Sequence, residues 1–173
     1  MIHLFTDPTS IMFGKLFVAA ILGVLVGTER AIAGKQAGSR TFSLVALGSC
    51  LFVLIGSFVN NAYTGIVDFQ PTLMASAIIT GVGFIGAGLI VIHGDAPRGI
   101  TTAAGLWVSA AVGVAVGFGM YSIAIFTTIL TLVIFTGMWF LENSFKHWFV
   151  EHEPHFGSSN TDLTPKSDPS LTR

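Results

Sequence analysis

Residues 41–59 read TFSLVALGSCLFVLIGSFV, a run without one charged side chain in which, after Thr41, only Ser43, Ser49 and Ser57 are polar. An α-helix rises 1.5 Å per residue, so about 20 such residues cross the roughly 30 Å of a bilayer's hydrocarbon. Similar runs lie on either side, at 12–27, 72–92, 100–117 and 121–141, and Lys15 is the single charge within any of the five. Helices are the only sensible reading, because unpaired backbone groups in lipid are too costly and five spans cannot close a barrel. The sequence therefore predicts an all-α integral membrane protein, a bundle of five transmembrane helices.

Composition agrees. Of 173 residues, 52% are hydrophobic and only 10% charged, with mean hydropathy +0.77; a soluble domain carries about 25% charged residues. A chain this short has too much surface for its volume to hide that apolar material inside itself. The surplus must face lipid. A net charge of −1 offers no basic field for nucleic acid. The lone Cys50 cannot form an intramolecular disulfide.

The first span is the shortest, since its uncharged part covers only residues 16–27. Lys15 can lengthen it by snorkelling to the headgroups along its apolar stem. Ala31-Ile32-Ala33 has the small-x-small look of a signal-peptide cleavage site. The flanks argue against cleavage: residues 1–10 hold no Lys or Arg, while Arg30, Lys35 and Arg40 follow the apolar run. Seven of the eight basic residues fall in alternate connections and the tail, which by the positive-inside rule places the amino end outside and the carboxyl end in the cytoplasm. Three parts follow: a membrane domain over 1–141, a juxtamembrane segment over 142–156 near Trp139 and Trp148, and a polar, disordered tail over 157–173.

Two patterns invite over-reading. Gly81-Val-Gly83-Phe-Ile-Gly86 matches the dinucleotide fingerprint by letter. It lies inside a lipid-length run with no preceding strand and with Thr101, not an acid, twenty positions on, so no cofactor is assigned. His147, His152 and His155 beside Glu151 and Glu153 fit no closed metal site, so no metal is assigned. No Ser-His-Asp set or H-E-x-x-H pattern is present, so the sequence points away from an enzyme and offers no catalytic residue.

The glycines are better read as helix packing. Small residues let two backbones approach closely where the hydrophobic effect gives no drive. Gly81, Gly83, Gly86 and Gly88 form one such set, and Gly23 with Gly27 and Gly113 with Gly117 supply matching small faces. Polar residues gather at the cytoplasmic ends in three clusters: Glu29-Arg30, then Gly38-Ser39-Arg40-Thr41, then Asp95 through Arg98 to Thr101-Thr102. Boundary arginines and capping threonines explain much of this. Glu29 is an unusual acid beside a membrane, with several basic partners on the same side, and Thr101-Thr102 gives a span entrance a polar lining.

These clusters and glycines together resemble the amino-terminal membrane domain of the MgtC/SapB family. The matching stretches are Gly23-Val-Leu-Val-Gly27-Thr-Glu29-Arg30, Ala37-Gly-Ser-Arg40-Thr41 with Leu44-Val-Ala-Leu-Gly48, Gly81 to Gly88, and Arg98-Gly-Ile-Thr-Thr-Ala-Ala-Gly-Leu-Trp107-Val-Ser-Ala-Ala111. The resemblance implies a bacterial inner-membrane protein of about five spans, linked to growth at low magnesium, acid tolerance and intracellular survival. It implies regulation of other membrane proteins, the F-type ATP synthase among them. By motif it singles out Glu29, Arg30, Arg40, Thr41, Arg98, Thr101, Thr102 and Trp107. Thr101 and Val108 stand where the virulence-associated type often has Asn and Cys, a departure from the virulence pattern, and the sequence is expected to carry a short tail where longer members have a soluble carboxyl-terminal domain. Two functions remain open: a regulator that contacts partners in the bilayer, favoured by uncharged spans two to five, or a small transporter or channel for magnesium or protons, assembled as a homo-oligomer.

Overall fold

The computed structural model describes residues 8–62, 70–93 and 96–150. Five helices carry the architecture: α1 (Pro8–Ile32), α2 (Ser39–Ala62), α3 (Pro71–Gly88), α4 (Ile100–Gly117) and α5 (Tyr121–Val150). Each contains a stretch long and apolar enough to cross a membrane. Residues up to Trp139 form one compact unit and those from Phe140 a second; the buried core belongs to the first. Asp95, Glu151, His152, Glu153, His155 and the tail at 157–173 lie outside the described residues.

α1 is longer than its uncharged stretch suggests. Its 25 residues include Lys15 near the start and Glu29-Arg30 in the last turns. Gly34 then ends it: at φ 66° its N–H donates to Ala31 O (3.1 Å) while the Lys35 N–H reaches Arg30 O (3.0 Å), closing the carbonyls of the final turn. Lys15 finds a partner at the end of a neighbouring span. Its Nζ donates to Gly117 O at 2.9 Å, where the α4 C-terminus presents partial negative charge.

The connection after α3 is an antiparallel ribbon rather than a plain loop. β1 (Val91–His93) pairs with β2 (Ala96–Arg98), Val91 opposite Arg98. Gly99 turns the chain into α4 at φ 92°, and an added Cβ there would strike Leu89 O. Only glycine fits both demands. Because α4 begins at Ile100 behind a Gly99 cap without a side-chain bond, Thr101 and Thr102 lie in its first turn and are not caps. Thr41 likewise falls inside the first turn of α2.

α1, α2 and α4 make the centre of the bundle, with α1 antiparallel to α2 and α2 running in the same sense as α4. A Cβ on Gly27 would lie 2.6 Å from Ser39 Cα, and one on Gly23 2.7 Å from Ser43 Cα. On α4 the close face is Gly105, Ser109, Gly113 and Gly117, each four residues from the last. Gly113 meets the backbone of Ala46, Gly117 meets Val53, and Ser109 Oγ donates to Phe42 O at 3.0 Å. Close backbone approach and this interhelical hydrogen bond thus add to the apolar cluster of Leu22, Cys50, Leu54, Val112 and Val116 that the same helices bury. α5 turns Ala124, Thr128 and Thr131 inward; the two hydroxyls bond carbonyls one turn back, at 2.9 and 2.7 Å, so no polar atom is stranded.

α3 is the outlier. Only 11% of its span is buried against 50% for α4. Gly86 touches Ala103 at ordinary distance, whereas Cβ positions on Gly81, Gly83 and Gly88 meet nothing within 4 Å. Close helix packing is therefore found at Gly23, Gly27, Gly113 and Gly117, and within one chain it is not found along the glycine run of α3.

Candidate functional site

The alternation of the helices brings the last turns of α1 and α3 and the first turns of α2 and α4 to one end of the bundle. There Arg30 points inward. Its side chain is 4% exposed and that of Glu29 19%. The guanidinium grips the carboxylate with both arms, Nε to Oε2 and Nη2 to Oε1, the latter at 2.7 Å. Such forked pairing is the strongest arrangement these two side chains can adopt. Neighbours in sequence on a helix normally diverge; here two long side chains fold back toward each other. The arrangement also neutralises an acid at a helix C-terminus, where a negative charge is unfavourable.

Arg30 has a second partner that sequence did not reveal. Its guanidinium carbon lies 3.5 Å from the centroid of the Phe135 ring on α5. That ring reaches inward because Gly105 leaves space for it: a Cβ on Gly105 would lie 2.6 Å from Phe135 Cζ and 3.2 Å from Phe42 Cε1. Phe42, Leu106, Val26 and Ala37 complete a buried cluster with Phe135 against it. One cation thus joins α1 to α5 across a floor supplied by α2 and α4. A cation over an aromatic face is worth about 2 kcal/mol when desolvated.

The other predicted positions do not all converge. Thr102 is buried, in line with Gly105 and Ser109 on the close face of α4, and Thr41 is half-buried. Arg40, Arg98, Thr101 and Trp107 are exposed. Among the described residues the Glu29–Arg30 pair is the only ion pair, and Arg40 and Arg98 make none. Glu29 therefore takes its sequence neighbour, and the more distant arginines stay out of its reach. Among the described residues no three His, Cys, Asp or Glu side chains come together as a metal site.

Of the residues missed, Ser109 and Gly105 were legible as a four-residue continuation of Gly113 and Gly117. Phe135 was not: nothing in α5 separates it from Phe126 or Phe140, which are exposed.

A glycine-welded bundle of lipid-length helices with one buried, self-neutralised charge pair at one end defines a small multi-pass membrane protein. The chain belongs to the MgtC family, whose model matches residues 16–144. It is 40% identical over 122 residues to "Putative magnesium transporter YhiD" of Escherichia coli (strain K12), covering 69% of this chain and 57% of that protein. It is 43% identical over 116 residues to "Protein MgtC" of Brucella abortus (strain 2308), covering 67% and 46%. A Synechocystis protein, slr0014, is 36% identical over 140 residues, covering 81% and 55%. The chain thus spans about half the length of these relatives. No solved structure matches it.

Proposed function

We propose that this chain is a non-enzymatic regulator in the bacterial inner membrane, acting in magnesium homeostasis through contact with other membrane proteins, with its amino end outside and its Glu29–Arg30 end in the cytoplasm. The carrying observation is how the central helices meet. α1, α2 and α4 touch backbone to backbone at Gly23, Gly27 and Gly113, and Gly117 lies against the Val53 side chain, leaving no width for a hydrated ion between them. Ion and proton routes place ionisable groups along their length. Here residues 41–59, 72–92, 100–117 and 121–138 carry no charged side chain, Lys15 is tied to Gly117 O, and Glu29 is held by Arg30. The pair is where a change of charge would be felt by four helices at once. That is what a regulator needs. Acid tolerance and the F-type ATP synthase as a partner come from the family resemblance and remain part of this proposal.

The second reading is a small oligomeric transporter or channel for magnesium or protons. The transporter name of the YhiD relative favours it, as does α3, whose glycine face lacks a neighbour in the single chain. Purified protein in sealed liposomes, loaded with magnesium and pH indicators, separates the two. The expected result is flux equal to that of empty vesicles. Flux abolished by Glu29→Ala or Thr101→Ala would overturn the regulator reading.

A further inference from the structure

Between α2 and α3 lies an open apolar groove of about 710 Å³, within the 300–1,000 Å³ typical of small-molecule sites. Leu44, Gly48 and Phe52 wall it on α2, and Ala77, Gly81 and Ile85 on α3. Gly48 and Gly81 meet nothing within 4 Å of a Cβ position, so the space is unfilled at both walls. Both stretches lie inside candidate membrane spans.

Two basic residues lie at the end of the bundle that the groove's Leu44 and Ile85 approach. Arg40 precedes Leu44 by four residues and so shares its helix face. On the other wall, β1 follows α3 directly, and Arg98 pairs with Val91 while Gly99 rests on Leu89 O. Gly86 contacts Ala103, and Gly105 lies beside Phe42, so the end of α3 and the start of α2 are at the same end of the bundle. Both arginines are exposed and neither has an ion-pair partner among the described residues. An apolar slot between two spans with two exposed cations at the same end of the bundle is complementary to a molecule with a long hydrocarbon chain and an anionic head. Basic pockets between transmembrane helices recognise phospholipid head groups in this way.

We propose that the α2–α3 groove is a site for an anionic phospholipid, one acyl chain lying along Gly48 and Gly81 and the phosphate met by Arg40 and Arg98. The site is separate from the Glu29–Arg30 pair and does not depend on whether the protein regulates or transports. It gives a role to Gly81, which touches nothing in the protein: a bare patch on the helix gives an acyl chain room.

The test is native mass spectrometry of the full chain in mild detergent, offered phosphatidylglycerol and phosphatidylcholine with identical acyl chains. The wild type should retain phosphatidylglycerol preferentially. Arg40→Gln with Arg98→Gln should remove that preference, by about fivefold for each arginine lost near an anionic surface. Gly48→Leu and Gly81→Leu should reduce retention of both lipids while circular dichroism reports an unchanged helix content. Equal retention of the two lipids by the wild type would overturn the proposal, as would a preference that survives the double arginine change. Displacement of the lipid by glycerol phosphate alone would remove the acyl chain's part. A dimer that persists without lipid and is broken by Gly81→Leu would assign the groove to a second copy instead.

Discussion

Replacing Glu29 with Gln tests whether the buried pair holds the end of the bundle together. The change keeps shape and removes one charge, leaving the 4%-exposed Arg30 side chain without a counterion. Removing one partner of a buried pair costs about 3–5 kcal/mol. Glu29 is 19% exposed, however, and Gln keeps an amide oxygen that can still accept from Arg30 Nη2. The expected loss is therefore about 2–3 kcal/mol, the scale of a hydrogen bond to a charged group plus part of a stranded cation. Unfolding in mixed detergent micelles, followed by circular dichroism, reads it directly. The double variant Glu29→Gln/Arg30→Met should recover much of the loss, because Met fills the space over Phe135 without a charge to satisfy. A Glu29→Gln protein within about 0.5 kcal/mol of wild type, the range of ordinary surface changes, would refute the reasoning. So would a double variant no more stable than the single one.

Gly113→Ala should cost about 2 kcal/mol or more by forcing α4 off the Ala46 backbone, whereas Gly81→Ala and Gly83→Ala, open on all sides, should be neutral or gain about 0.5–1 kcal/mol from helix propensity; the same unfolding assay compares them. Ser109→Ala removes the bond to Phe42 O and should lose about 0.6 kcal/mol, the usual size for such a contact between membrane helices. Phe135→Leu keeps a hydrophobic neighbour for Gly105 but removes the ring under Arg30, at an expected cost of about 1–2 kcal/mol. For topology, a periplasm-dependent reporter fused after Leu141 should be inactive, and activity there would reverse the proposed orientation.

The number of lipid-length helices was legible in the sequence because that property is one-dimensional: charge-free runs of about 20 residues have few alternatives in or out of water. The motifs at Glu29-Arg30 and Arg98 to Ala111 were legible for the same reason, as local strings. What sequence could not rank was the glycines. Gly81 and Gly113 look alike in a string, yet one faces open space and the other a backbone carbonyl. Helix orientation about its own axis decides between them, and in an apolar span no polar face records that orientation. The partner of Arg30 was hidden for a similar reason. Phe135 lies 105 positions away along the chain, and only the missing side chain of Gly105, on a third helix, lets the ring come beneath the guanidinium. Sequence determined which residues enter the membrane and which charges gather at their ends. Tertiary structure decided which charges are buried together, because that depends on how closely bare backbones on different helices can approach.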